Sequence, residues 1–161
     1  MDNNTDLHHQ FMSRAIALAR IGVQKNAGGP FGAVIVKDGE IIAEGHNEVL
    51  VNNDPSAHAE ITAIRRACAA LGDFQLTGCT LYTSCEPCPM CLGAIYWARP
   101  DKVYFACTKK DAATAGFDDD FIYRELDLPM DQRSIDMEHL PHDHSTTPFE
   151  DWGKKEDKIP Y

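Results

Sequence analysis

The pairing of His58-Ala59-Glu60 with Pro87-Cys88-Pro89-Met90-Cys91 constrains this chain more than any other feature. One imidazole and two thiolates are ligand types that zinc prefers, and three protein ligands leave a tetrahedral ion with one open position. An ion held in that way lowers the pKa of water toward neutrality. Glu60, two residues from His58, is a spare carboxylate beside that position. A fold that uses all four groups must bring two distant stretches of chain to one point.

Six cysteines raise the question of disulfides. Cys85, Cys88 and Cys91 recur at intervals of three, which is metal chemistry in a reducing compartment rather than a disulfide framework. Cys68 and Cys107 sit in apolar runs and read as small core residues. The 161 residues predict one domain over 1–161, and 43% apolar with 25% charged residues is ordinary for a globular protein. No apolar run approaches a membrane span, and Met1 to Gln10 lacks the layout of a signal peptide, so a cytoplasmic location is expected. The formal net charge of −10 argues against a nucleic-acid polymer as substrate, because phosphate neutralisation supplies most such affinity.

Periodicity predicts a helix from about Asp6 to Gln24, with Phe11, Ala15, Leu18 and Gly22 on one stripe. Gly28-Gly29-Pro30 ends it. Ala33–Val36 and Ile41–Ala43 flank Asp38-Gly39, the pattern of a β-hairpin. Asp54-Pro55 reads as a helix start, and Ile61, Ile64, Cys68 and Leu71 as its apolar stripe ending at Gly72. Thr80–Thr83 reads as a buried strand, Pro87 to Ala98 as a helix, and Val103–Ala106 as the next strand. Strand, helix and strand in that order form a parallel crossover unit. A short helix is expected around Asp119 to Glu125. Pro129 to Tyr161 shows no period.

Residues two apart on a regular helix point to opposite sides. His58 and Glu60 can therefore serve one ion only at a helix N-terminus, where both lean over the rim. Cys88 and Cys91, three apart, share a face. Two helix N-termini converging on the site favour thiolate over thiol. Glu60 is the expected proton shuttle, taking a proton from the attacking water and returning protons to a ring nitrogen and a departing amino group. A competing arrangement is a closed Cys3His site completed by Cys85, which would be purely structural. His139, His142 and His144 fall among proline and acidic residues and read as a solvated loop.

His-x-Glu followed by Pro-Cys-x-x-Cys is the signature of the zinc deaminases of nucleobases. Together with Gly28–Val36, Asp54–Glu60 and Ser84–Cys91, the chain resembles the cytidine-deaminase-like superfamily. Gly93–Arg99 and Gly116-Phe117-Asp118-Asp119 resemble the small bacterial guanine deaminases more narrowly. The resemblance covers about residues 8–128 and resumes at Pro148-Phe149, Trp152 and Tyr161.

It implies a three-layer α/β/α sandwich with a mixed five-stranded sheet, and hydrolysis of guanine to xanthine and ammonia. His58, Cys88 and Cys91 would hold zinc and Glu60 would move protons. Asp119, or its neighbour Asp118, would assist at the amino side. Asn47, Phe31, Ala59 and Trp97 would contact the base. A homodimer is also implied, with the segment from about 130 to 161 exchanged between subunits so that Tyr161 caps the partner's site. Read without the resemblance, Phe31 and Trp97 are core residues, Asn47 a turn residue and Tyr161 a chain end. Guanosine, cytosine or another amino-substituted heterocycle is the alternative substrate. A tRNA adenosine deaminase and a non-catalytic zinc module are the alternatives of other classes.

Overall fold

The computed structural model describes residues 3–161; residues 1 and 2, at the start of the expected single domain, lie outside the described residues. The chain divides into two compact units, one ending at Asp120 and one covering Phe121–Tyr161.

The first unit opens with helix α1 (Asn3–Gln24) and a hairpin of β1 (Gly32–Lys37) and β2 (Glu40–His46). Asp38 and Gly39 form the turn, with φ of 51° and 82°. Both angles lie in the left-handed region that a two-residue hairpin turn needs. A short helix α2 (Val49–Asn52) leads to α3 (Ala59–Leu71), which ends on Gly72 in the left-handed conformation as expected. Strand β3 (Cys79–Cys85), helix α4 (Pro89–Ala98) and strand β4 (Lys102–Cys107) complete the crossover. The strand order is β2-β1-β3-β4, antiparallel except for the β3–β4 pair.

Among the described residues the sheet has four strands, not five. After Cys107 the chain turns into helix α5 (Lys109–Thr114) because Thr108 and Asp111 close a capping box. Two orphan helix donors are satisfied there, and no β-branched run follows to continue pairing.

Alternation on β1 and β3 divides the core between the two faces of the sheet. Ala33, Ile35, Cys79 and Leu81 pack with Ala59, Ala63 and Ala67 of α3 and with Ile95 and Ala98 of α4. Val34, Val36 and Tyr82 pack with Leu18 of α1 on the other face. Helix α3 approaches the sheet closely enough that a Cβ on Gly45 of β2 would lie 2.6 Å from the Ala59 carbonyl oxygen. The glycine therefore sets how near the N-terminus of α3 lies to the strands. Cys68 packs partly buried against the first cluster. Cys107 does not join the core: it is exposed, because β4 is the edge of the sheet and its last residues lie open.

In the second unit, α6 (Asp120–Asp127) precedes a 3-10 turn over Met130–Gln132, and Thr147–Lys154 forms α7. Arg133 ties the turn down by donating to the Leu128 carbonyl at 3.1 Å. Glu125 accepts from the Ser134 backbone and hydroxyl at 2.7 and 2.8 Å. His139, His142 and His144 are exposed, as a solvated loop requires.

Candidate active site

Both helices that carry the motif start later than sequence reasoning places them. The Asp54 carboxylate accepts from the Ser56 N–H at 2.8 Å and the Ser56 hydroxyl at 2.7 Å, closing a local turn instead of capping a helix. Helix α3 begins after His58, which is its N-cap with extended backbone, φ −69° and ψ 161°. Cys88 is likewise the N-cap of α4, and Pro89 occupies its first turn. These shifts resolve the problem of His58 and Glu60. His58 lies outside the helical repeat and Glu60 inside the first turn, so both side chains reach the same rim.

The site forms where these two N-termini meet. The Sγ atoms of Cys88 and Cys91 lie 3.5 and 3.4 Å from Nδ1 of His58. One ligand atom from each of the three residues lies within 4.8 Å of the other two. A tetrahedral zinc with ordinary Zn–S and Zn–N bonds spaces its sulfur and nitrogen ligands by roughly 3.6 Å. The donor set and its spacing therefore fit zinc. Cys85 is not part of the group; its thiol donates to the Thr108 carbonyl at 3.5 Å. The closed Cys3His arrangement is absent among the described residues.

The charges of the cluster are coupled. The Cys88 thiol is pulled down to about 4, first by the hydrogen bond with Cys91 and then by His58. The same pairing with Cys88 pushes Cys91 up, and the hydrogen bond with Cys88 raises His58. Thiolate character is what metal ligation demands.

Glu60 is only 5% exposed. Its Oε1 accepts from the Thr83 hydroxyl at 3.0 Å, and the Cys91 thiol lies 3.4 Å from Oε2. Burial holds the Glu60 carboxyl above the usual range, which suits a group that both takes and returns a proton. Thr83 escaped the sequence reading: it lies 23 positions from Glu60, and no short motif links them.

The other expected residues divide. Asp119 is partly buried and raised, first by burial; the Cys88 charge adds to this and Lys109 opposes it. Asp118 is exposed and accepts from the Asp120 N–H at 2.9 Å. Asn47 is buried and its Oδ1 accepts from the Val49 N–H at 3.1 Å, so the turn role read from sequence is present. Phe31 packs partly against the core and meets Phe117 edge-on at 5.0 Å. Ala59 directs its methyl into the core. Trp97 is 62% exposed, so the core role that its apolar helix suggested is wrong: it projects from the outer face of α4. Tyr161, in the second unit, stands 6.5 Å from Trp152 and is 70% exposed.

Residues 5–107 match the family model of the cytidine and deoxycytidylate deaminase zinc-binding region. The chain is 57% identical to guanine deaminase of Bacillus subtilis (strain 168) over 154 residues, covering 96% of this chain and 99% of that one. A crystal structure of guanine deaminase from Bacillus subtilis superposes with a TM-score of 0.93 at 55% identity, covering 100% of this chain and 99% of that one. A tRNA-specific adenosine deaminase of Aquifex aeolicus (strain VF5) is 39% identical over 127 residues, 78% of this chain and 81% of its own. A ligand triangle with zinc spacing, a buried carboxyl against it and a family match across the whole sheet lead to one conclusion: the chain belongs to the cytidine and deoxycytidylate deaminase zinc-binding family.

Proposed function

We propose that this protein hydrolyses guanine to xanthine and ammonia. The observation that carries the reading is the Glu60 carboxyl, buried beside the His58–Cys88–Cys91 triangle at the rim of two helices. The choice of guanine rests on likeness across the whole chain, tail included, to the Bacillus subtilis guanine deaminase.

Zinc bound to the triangle supplies Lewis acidity that makes water a nucleophile near neutral pH. Glu60 accepts a proton from the attacking water as oxygen bonds to the amino-bearing carbon. It delivers that proton to the ring nitrogen, then takes the proton of the new hydroxyl and passes it to the amino group, so that the C–N bond breaks, ammonia leaves and the carbonyl forms. Asp119 assists at the amino side. With its Oδ1 engaged by Val49, Asn47 offers its amide hydrogens to an acceptor on the base. Phe31 borders the ring, and Ala59 contributes through its backbone.

Ammonia release measured against guanine, guanosine, cytosine, cytidine and adenine tests the substrate. Guanine is expected to be turned over at least about a hundredfold faster than the others, since a site built to pair polar groups rejects analogues that leave them unpaired. Turnover of guanosine or cytosine with guanine untouched would overturn the substrate and leave the chemistry standing. The tRNA-specific relative matches a shorter part of this chain, and the net charge of −10 gives RNA little to hold.

The working unit is a cytoplasmic homodimer of one deaminase domain, with the segment from about 130 to 161 exchanged and Tyr161 over the partner's site. No helix of the described residues is long and apolar enough to cross a membrane. The exposed Met90, Leu92 and Trp97 of α4 and Phe105 of β4 support a partner on that side of the first unit. Light scattering on an eluting peak is expected to give twice the chain mass; a monomer at micromolar concentration would count against the exchange.

A further inference from the structure

Glu60 sits where helix α3 begins, with its side chain aimed at the ligand triangle and its own backbone N–H as one partner of the carboxyl. Helix caps bond their own backbone, but neither His58 nor Cys88 makes a side-chain cap hydrogen bond. The carboxyl is held from the sheet as well. Thr83, on β3 and only 1% exposed, donates its hydroxyl to Oε1 at 3.0 Å. Thr83 itself is fixed on both sides, by Ala33 of β1 and by Phe105 of β4 in register. A β-branched residue in a central strand has few rotamers, so its hydroxyl is a rigid donor. With Oε1 anchored, Oε2 is the oxygen turned toward Cys91 and the triangle.

We infer that Thr83 is a positioning residue for the deamination: it fixes the Glu60 carboxyl so that one oxygen is spent on the strand and the other faces the reacting water. This rests on the reading of Glu60 as proton shuttle given above. A misplacement of about 1 Å in such a group costs on the order of a hundredfold in rate. The hydroxyl acts on the proton-transfer step and touches no substrate, so the effect falls on kcat and not on KM.

Thr83→Val keeps the shape and removes the donor. It is expected to lower kcat about ten- to a hundredfold, leave KM within about twofold, and retain full zinc content. Thr83→Ser, which keeps the hydroxyl, restores most of the turnover. Thr83→Ala adds no atom to the strand and carries the same expectation should valine disturb folding. A kcat within about twofold of wild type in the valine or alanine variant overturns the inference. So does a fall that tracks lost zinc, and so does failure of serine to restore activity. Glu60→Gln, assayed in parallel, separates the two claims. If that variant is fully active, the reading of Glu60 fails; if it is inactive while Thr83→Val is not, only the role of Thr83 fails.

Discussion

Glu60→Gln is expected to leave a folded protein with its full complement of zinc and to lower kcat by about a hundredfold to ten-thousandfold, the range that positioned proton transfer supplies. The substitution preserves volume and leaves an oxygen to accept from Thr83, so the buried contact at 3.0 Å can persist. The three ligand groups are untouched. What disappears is the ability to take a proton from water and return it. Because substrate binding does not use that ability, kcat and kcat/KM should fall together, with little change in KM. Metal content by atomic spectroscopy and steady-state ammonia release decide the matter. A variant that keeps zinc and retains more than about a third of wild-type turnover would remove Glu60 from the chemistry, and with it the catalytic reading of the motif.

The parts of this molecule that could be read from sequence are those whose chemistry is local. Asp38-Gly39 forms its hairpin because both residues tolerate positive φ, a property carried by two adjacent positions. The ligand triangle was legible for a related reason: residue types and spacing name the metal without any knowledge of the sheet. Local signals also misled. An Asp-Pro pair is a good helix start, but the Asp54 carboxylate bonds Ser56 through Oδ1 and pairs with Arg65 through Oδ2 instead of capping a helix. The helix then begins after His58, which is the displacement that lets imidazole and carboxylate share a rim.

What sequence could not supply was pairing across the sheet. The contact of Thr83 with Glu60 joins a strand to a helix 23 positions away and leaves no short pattern. Cys107 and Trp97 both lie in apolar runs, yet one ends the edge strand and the other sits on the outer face of α4. Periodicity records that a run is apolar and not whether the element lies at the edge of the sheet. Helix α7 in the tail was missed although Thr147-Pro148 opens it and the Thr146 hydroxyl donates to Glu150 at 3.1 Å. At eight residues, with a glycine inside, it is too short for a periodic signal to stand out.

The second large effect is expected from Cys91→Ala. Cys91 is fully buried on the first turn of α4, with His58 Nδ1 3.4 Å and Glu60 Oε2 3.4 Å from its sulfur. It therefore ties the start of one helix to the start of the other. Removing it takes away a thiolate ligand and opens a gap between the two N-termini. Zinc binds the folded chain far better than the unfolded one, so its loss withdraws the stabilisation that ligation adds to folding. At zinc concentrations about a thousandfold above Kd that contribution is about 4 kcal/mol, which corresponds to a fall in Tm on the order of 10 °C for a chain of this size. Activity is expected to drop to background, since no ligand set remains to hold the ion. Wild-type protein treated with a chelator should show the same fall in Tm, and the chelator should do little more to the variant. That non-additivity separates lost metal from lost packing. A variant that still carries one zinc per chain and melts with the wild type would mean that Cys91 is not a ligand and that the ion, if held, sits elsewhere.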